Sequence, residues 1–331
     1  MHNTQLVLNN KKLRLAKSKL NLEKNDILIE VKSCGICGSD LKILEHGSSR
    51  VKNGTIMGHE VSGKIINLKK NNSQKNIILG ADIPMINEEN FAIGHEIDGG
   101  FQKFLKIKKK FFNKIPNYIT KKKINYDLAS LSEPVACCLN GFERMSFQKN
   151  KNVVIFGAGP IGYIIAALSL YFRSKKVFII DSNQKRLNLG IINKKLFKLS
   201  LKNYKKKILK ILNKTKEQID YGFVACNSAK AQNEILKLVK EKGTVNYFSG
   251  LKNKKKKVNV NLNTNLIHYK QLNLVGSHGS TKKNLLKAAK LIVGKKINLS
   301  KIITNKYNIK NHTSAFKKFK SGSSLKVIIN P

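Results

Sequence analysis

The stretch from Asn152 to Phe172 leaves this chain few folds to choose from. An apolar run, Val153-Val154-Ile155-Phe156, enters Gly157-Ala158-Gly159-Pro160-Ile161-Gly162, and a second apolar segment, Tyr163 to Phe172, follows at once. This order predicts a strand, a glycine turn and a helix. In such a turn the first glycine permits the tight bend and the second lets backbone approach a pyrophosphate. The third lets the helix pack on the strand, and the helix N-terminus attracts the anion. Gly157, Gly159, Pro160, Ile161 and Gly162 are therefore expected to hold a dinucleotide. A further apolar run, Val177 to Ile180, ends in Asp181, about 20 residues past the glycines, where a carboxylate hydrogen-bonds an adenosine ribose. That carboxylate repels a 2′-phosphate and favours NAD over NADP. Arg186 stands where it can lie over the adenine side or accept a phosphate.

The texture of the chain changes at Val153. After it, strands at Val177 to Ile180, Tyr221 to Ala225, Thr244 to Phe248 and Leu272 to Val275 alternate with helices at Gln184 to Ile192 and Ala229 to Lys240. Such alternation predicts an α/β, doubly wound parallel sheet of the Rossmann kind. Before it, Gln5 to Lys32, Val61 to Leu68 and Phe101 to Ile107 read as strands, with Gly99-Gly100 as a turn. A helix at Lys282 to Val293, closing strands and a short helix near Ser314 to Lys320 end the chain. With 331 residues, 41% of them hydrophobic, two domains are expected.

The net charge of +45 would by itself suggest a nucleic-acid or anionic-membrane partner. The 64 basic residues include only Arg14, Arg50, Arg144, Arg173 and Arg186 as arginines, and the lysines are spread through every segment. A phosphate-binding surface recruits Arg and aromatic residues, whereas Lys205 to Lys207 and Lys254 to Lys257 read as solvated loops or faces. No nucleic-acid partner is expected. No membrane helix or apolar signal core is evident, and Cys34, Cys37, Cys137, Cys138 and Cys226 form no disulfide framework, so a cytoplasmic setting is expected.

Chemistry concentrates in three segments: Gly35-Ile36-Cys37-Gly38-Ser39-Asp40, Met57-Gly58-His59-Glu60 and Ser132-Glu133-Pro134. Cys37, His59, Glu60 and Glu133 offer a thiolate, an imidazole and two carboxylates, a mixed donor set suited to one catalytic Zn²⁺. Asp40 is a candidate to orient a ligating imidazole. Cys34 is expected to be a small buried residue, and Cys137 and Cys138 to pack in the core. His95, in Gly94-His95-Glu96, repeats the letters of the earlier segment and is expected to be a loop histidine.

These segments in this order, with the glycine turn after them, resemble the zinc-dependent medium-chain dehydrogenases of the alcohol dehydrogenase superfamily, in the sorbitol, threonine and sugar-phosphate branch. Ile267-His268-Tyr269-Lys270, Leu274 to Ser280 and Leu325 to Ile329 carry the resemblance further, with His268 and His278 expected as polar lining near the cofactor. The resemblance implies a β-rich GroES-like catalytic domain at 1–143, a Rossmann NAD-binding domain at 144–281, and a return to the catalytic domain at 282–331. It implies an oxidoreductase that moves a hydride between NAD(H) and a secondary alcohol or ketone of a polyol, sugar or sugar phosphate. It also implies Ser39 as a proton relay, a role for Glu60 beside the metal, and a homodimer or homotetramer. Two departures matter. Gly80 to Gly100 lacks the four cysteines of a structural zinc, so one zinc per subunit is expected, and Lys42 stands where many relatives continue the relay with His. The competing readings are a basic nucleic-acid or phosphate-polymer binding protein on this fold, and a zinc-free reductase.

Overall fold

The computed structural model describes residues 1–66, 75–86, 89–251 and 260–331. The end of the expected strand Val61 to Leu68 and the lysine run Lys254 to Lys257 lie outside the described residues. Two compact units emerge. One comprises Met1–Ala136, Gly279–Lys296 and Ile303–Pro331; the other comprises Cys137–His278 and Ile297–Ile302. The division falls inside the helix Ser132–Arg144, which is continuous through it.

In the first unit the strand Asp26–Gly35 organises everything around it. Lys326–Asn330 and Glu60–Ile66 pair with it antiparallel, and so does Phe104–Lys108. Asn76–Leu79 and Asn117–Thr120 extend the sheet beyond Glu60–Ile66, and Ile303–Asn308 extends it beyond Lys326–Asn330. The register sets Gly35 opposite Glu60 on one side and opposite Ile328 on the other. One end of one strand therefore gathers chain from near residues 35, 60 and 328. Apolar side chains such as Leu6, Ile29, Val31, Met57, Val61 and Phe101 pack the unit's core, each fully buried side chain contributing about 1.5–3 kcal/mol.

The second unit holds six parallel strands in the order Leu196–Ser200, Val177–Asp181, Val153–Phe156, Ile219–Val224, Val239–Tyr247, Asn273–Gly276. This is the Rossmann order, whose switch point lies between Val153–Phe156 and Ile219–Val224, the two strands paired on either side of the reversal. The glycine turn leads from the first of them into the helix Pro160–Tyr171.

Two expected helices end two or more residues early. The helix expected over Gln184 to Ile192 spans Gln184–Asn188, because the buried Tyr163 hydroxyl donates to the Arg186 and Leu187 carbonyls at 3.0 and 3.1 Å. Gly190 then turns away at φ +73°, where a Cβ would lie 2.6 Å from the Tyr163 ring. The helix beginning at Ala229 ends at Leu238, and the next strand already starts at Val239.

Candidate active site

Cys37 stands at the N-cap of the helix Gly38–His46, directly after the organising strand. Its N–H donates to Asp40 Oδ2 at 2.8 Å, which ties the first helical turn back to the strand end. Glu60 opens the neighbouring strand, with His59 just before it, and Gly35 makes room for Glu60. A Cβ there would sit 1.9 Å from Glu60 Oε2. Ligand atoms of Cys37, His59 and Glu60 all lie within 4.8 Å of one another. The sequence-predicted residues Ser39 and Asp40 are also here: Ser39 Oγ is 3.5 Å from His59 Nε2, and Asp40 Oδ1 is 3.7 Å from His59 Nδ1. Glu133 does not join the three at that spacing. It lies in the first turn of Ser132–Arg144, buried, and its charge acts on both His59 and Lys326.

Lys326 was not singled out from the sequence. It occupies the first position of the C-terminal strand, 3% exposed, and its Nζ donates to Glu60 Oε1 and Oε2 at 2.6 and 2.8 Å and to the Ile36 carbonyl at 3.1 Å. It lies in the segment Leu325 to Ile329 that carries the resemblance, but nothing marks it out from the many other lysines; the register of three strands brings it to Glu60.

The cluster is short of positive charge. Burial alone would lower the affinity of His59 for a proton, yet Asp40, Cys37 and Glu133 outweigh burial and hold it well above the usual imidazole range. Burial, reinforced by Glu60, also raises Asp40. Both shifts raise the affinity for a proton in a neighbourhood rich in negative charge. Buried His59 Nδ1 and Asp40 Oδ1 lack hydrogen-bond partners, and the donors are one sulfur, one imidazole nitrogen and carboxylate oxygens. This set fits a divalent metal of the zinc type, whose binding releases such protons.

His95, expected to be a bystander in a loop, is beside this cluster. Its ring centroid is 5.5 Å from that of His59, with the planes 33° apart. Burial, with His59 and Arg50 adding to it, lowers its pKa to about 4, so the ring is neutral near pH 7. His95 lies in a turn, as expected, and outside the ligand cluster; its closeness to His59 depends on how that loop folds back.

The second unit carries a separate cleft of ≈ 690 Å³, bordered by Gly157, Asp181, Lys202, Tyr204, Cys226 and Ser228 among others. A Cβ at Gly157 would meet the Ala225 carbonyl at 2.7 Å, and one at Gly162 would meet the Gly157 carbonyl at 1.8 Å. A Cβ at Gly159 would meet nothing within 4 Å, so space is left at the open N-terminus of the helix that Pro160 and Ile161 begin. Asp181 closes the next strand and accepts the Ala158 and Asn183 N–H groups at 2.7 and 2.8 Å. Arg186 lies on the helix Gln184–Asn188 and does not border the cleft; His268 and His278 are exposed and do not border it either. Cys138 is buried and Cys137 half-buried, both in the helix of Glu133.

Residues 23–117 match the alcohol dehydrogenase GroES-like domain. The chain is 23% identical to the D-arabitol-phosphate dehydrogenase of Enterococcus avium over 325 residues, covering 92% of this chain and 89% of that one. It is 24% identical to the sorbitol dehydrogenase of Halalkalibacterium halodurans over 333 residues, covering 93% and 92%. Its fold superposes on the 2R,3R-butanediol dehydrogenase of Bacillus subtilis with a TM-score of 0.85 at 17% identity, covering 99% of each chain. The chain thus combines a GroES-like domain with a Rossmann sheet, the fold of that dehydrogenase. Along most of its length the chain is similar to medium-chain dehydrogenases, and residues 23–117 carry their GroES-like domain. Among the described residues, no helix is long and apolar enough to cross a membrane.

Proposed function

We propose that this protein is a zinc-dependent oxidoreductase that moves a hydride between NAD(H) and a secondary alcohol or ketone of a polyol, sugar or sugar phosphate. The observation that carries the reading is the convergence of the half-buried Cys37 with the buried His59 and Glu60 within 4.8 Å, in a cluster short of positive charge. The names of the D-arabitol-phosphate and sorbitol dehydrogenases support the substrate class.

Cys37 and His59 would hold the ion, with Glu133 and Glu60 competing for the remaining protein position. Lys326 engages both Glu60 oxygens, so Glu60 binds a metal only by sharing or releasing that cation, which favours Glu133 as the steadier ligand. When bound, Zn²⁺ supplies the Lewis acidity that stabilises negative charge on the alcohol oxygen. Asp40 orients the His59 ring from the Nδ1 side while anchoring the Cys37 backbone. Ser39, 3.5 Å from His59 Nε2, would take the alcohol proton and pass it toward solvent, with Lys42 where many relatives continue the route with an imidazole.

Gly157 to Gly162 would receive the pyrophosphate and Asp181 the adenosine ribose, and the carboxylate supports NAD over NADP. The nicotinamide supplies the redox chemistry. The expected setting is a cytoplasmic homodimer or homotetramer with no nucleic-acid partner.

The test is a panel of polyols and sugar phosphates followed by NADH absorbance, with and without a chelator, alongside metal analysis of gently purified protein. The expected result is about one zinc per subunit and chelator-sensitive turnover of at least one polyol. Turnover that survives full metal removal would establish the zinc-free reductase instead.

A further inference from the structure

We propose that His95 contacts the substrate and selects for a hydroxyl group beside the carbon that reacts. This inference rests on the polyol reading of the same site. It starts from how firmly the loop around His95 is held. Gly99 N–H donates to the Ile56 carbonyl at 2.6 Å, Gly100 N–H to the Gly58 carbonyl at 2.7 Å, and Asp98 Oδ1 accepts the Ile56 N–H at 2.9 Å. A Cβ at Gly94 or Gly99 would stand 2.9 or 2.1 Å from Gly58 backbone, so the loop lies directly on the segment that delivers His59. At the far side Arg50 grips both oxygens of Glu96, and Glu96 also accepts the Ala92 N–H at 2.8 Å. His95 sits between these two anchors.

The loop could have presented an apolar ring there. Instead it presents an imidazole with its centroid 5.5 Å from that of His59, whose Nδ1 is out of solvent and without a partner. Leaving a buried polar atom unsatisfied costs about 1–3 kcal/mol, a cost that packing does not require. His59 Nδ1 and Asp40 Oδ1 are unsatisfied too, but they face each other at 3.7 Å. Among the described residues, no group hydrogen-bonds His95 Nδ1, and no carboxylate pairs with it as Asp40 does with His59 Nδ1. A rigidly mounted imidazole with hydrogen-bonding capacity left over, one ring away from a candidate metal ligand, is suited to the second hydroxyl of a vicinal diol. A site built to hydrogen-bond a hydroxyl discriminates strongly against the analogue that lacks it.

The experiment compares a four-carbon vicinal diol with the four-carbon secondary monoalcohol in the zinc-loaded wild type and in His95→Phe, His95→Asn and His95→Gln. Zinc content and NADH binding by fluorescence are measured on each protein. The wild type is expected to prefer the diol in kcat/KM, and His95→Phe to collapse the diol-to-monoalcohol ratio about 10–100-fold, through KM more than kcat. At least one amide variant should restore part of the ratio, because Asn and Gln return a polar atom near the positions of Nδ1 and Nε2. Equal losses for both alcohols, or a ratio unchanged in His95→Phe, would overturn the assignment while leaving the polyol reading intact. A wild type inert toward every alcohol would overturn the polyol reading and this inference with it.

Discussion

The two candidate sites are built on opposite plans. In the first unit the polar groups are mostly buried and discontented: the pKa values of His59 and Asp40 are both shifted upward, three buried atoms near the cluster have no hydrogen-bond partner among the described residues, and Glu60 leans on a lysine from the far end of the chain. In the second, the glycine turn is already satisfied, with Asp181 bonded to two backbone N–H groups and open room at Gly159. On the proposed reading, the first site is completed by a cation, whereas the second already has its receptor geometry. Binding to the first should therefore change stability and protonation, and binding to the second should change little besides occupancy.

The largest expected effect tests that incompleteness. Cys37→Ser and His59→Ala should each lower turnover about a thousandfold or more, equivalent to about 4 kcal/mol of barrier, while NADH affinity stays within a few-fold. Steady-state rates and NADH fluorescence titration measure the two halves. If NADH binding falls together with turnover, the sites are not independent and the contrast breaks.

Next comes Lys326→Met, which strands the Glu60 carboxylate in the core. Removing one partner of a buried ion pair costs about 3–5 kcal/mol, so the denaturant midpoint of metal-free protein should fall steeply. Zinc should return part of the loss, because a cation can then compensate Glu60 directly. The double change Lys326→Met with Glu60→Gln should be milder than the single one. An equal loss with and without zinc would show that Glu60 has no dealings with a metal.

Asp181→Ala should have a smaller effect, raising the NAD KM about tenfold and shifting the NAD-to-NADP preference by a similar factor. Asp181→Asn should lie between, since it keeps one acceptor for Ala158 and Asn183. An unchanged cofactor ratio would mean that this carboxylate serves only to brace the turn.

How much of this could be seen in the sequence follows from the range of the interactions. The glycine turn, its strand and Asp181 are local or nearly so, and the alternating pattern after Val153 gave the Rossmann sheet. Cys37, His59 and Glu60 were recognisable because each sits in a distinctive short segment. Lys326 and His95 were hidden for different reasons. Lys326 meets Glu60 only through the pairing of three strands, and it looks like any other lysine. His95 resembled a repeated motif at poor spacing, and only a tight glycine-on-glycine contact brings it to His59. The shortened helix after Asp181 was hidden likewise, because Tyr163 intercepts its carbonyls from another helix.

The smallest effect sharpens the comparison through screening. Glu217, on the second unit, is held at about 2, because bonds from Lys176 and Asn152 and the charge of Lys175 overcome its partial burial. A carboxylate depressed below its ordinary value of 4.5 contributes stability that is fully present above that value. The contribution is lost as pH falls from about 5 toward about 2. After allowance for solvent it should amount to about 1 kcal/mol, and Glu217→Gln should remove it and flatten that part of the acid-unfolding curve. The pair lies near the surface, with Glu217 and Lys176 each 19% exposed, so raising salt toward 1 M, where the screening length is about 3 Å, should erode it. The Lys326 and Glu60 pair, at 4% and 0% exposure, should not respond to the same salt. Equal salt sensitivity of Glu217→Gln and Lys326→Met relative to wild type would mean that solvent reaches both pairs, and the distinction between a closed, charge-hungry cluster and an open receptor would fail at its simplest electrostatic test.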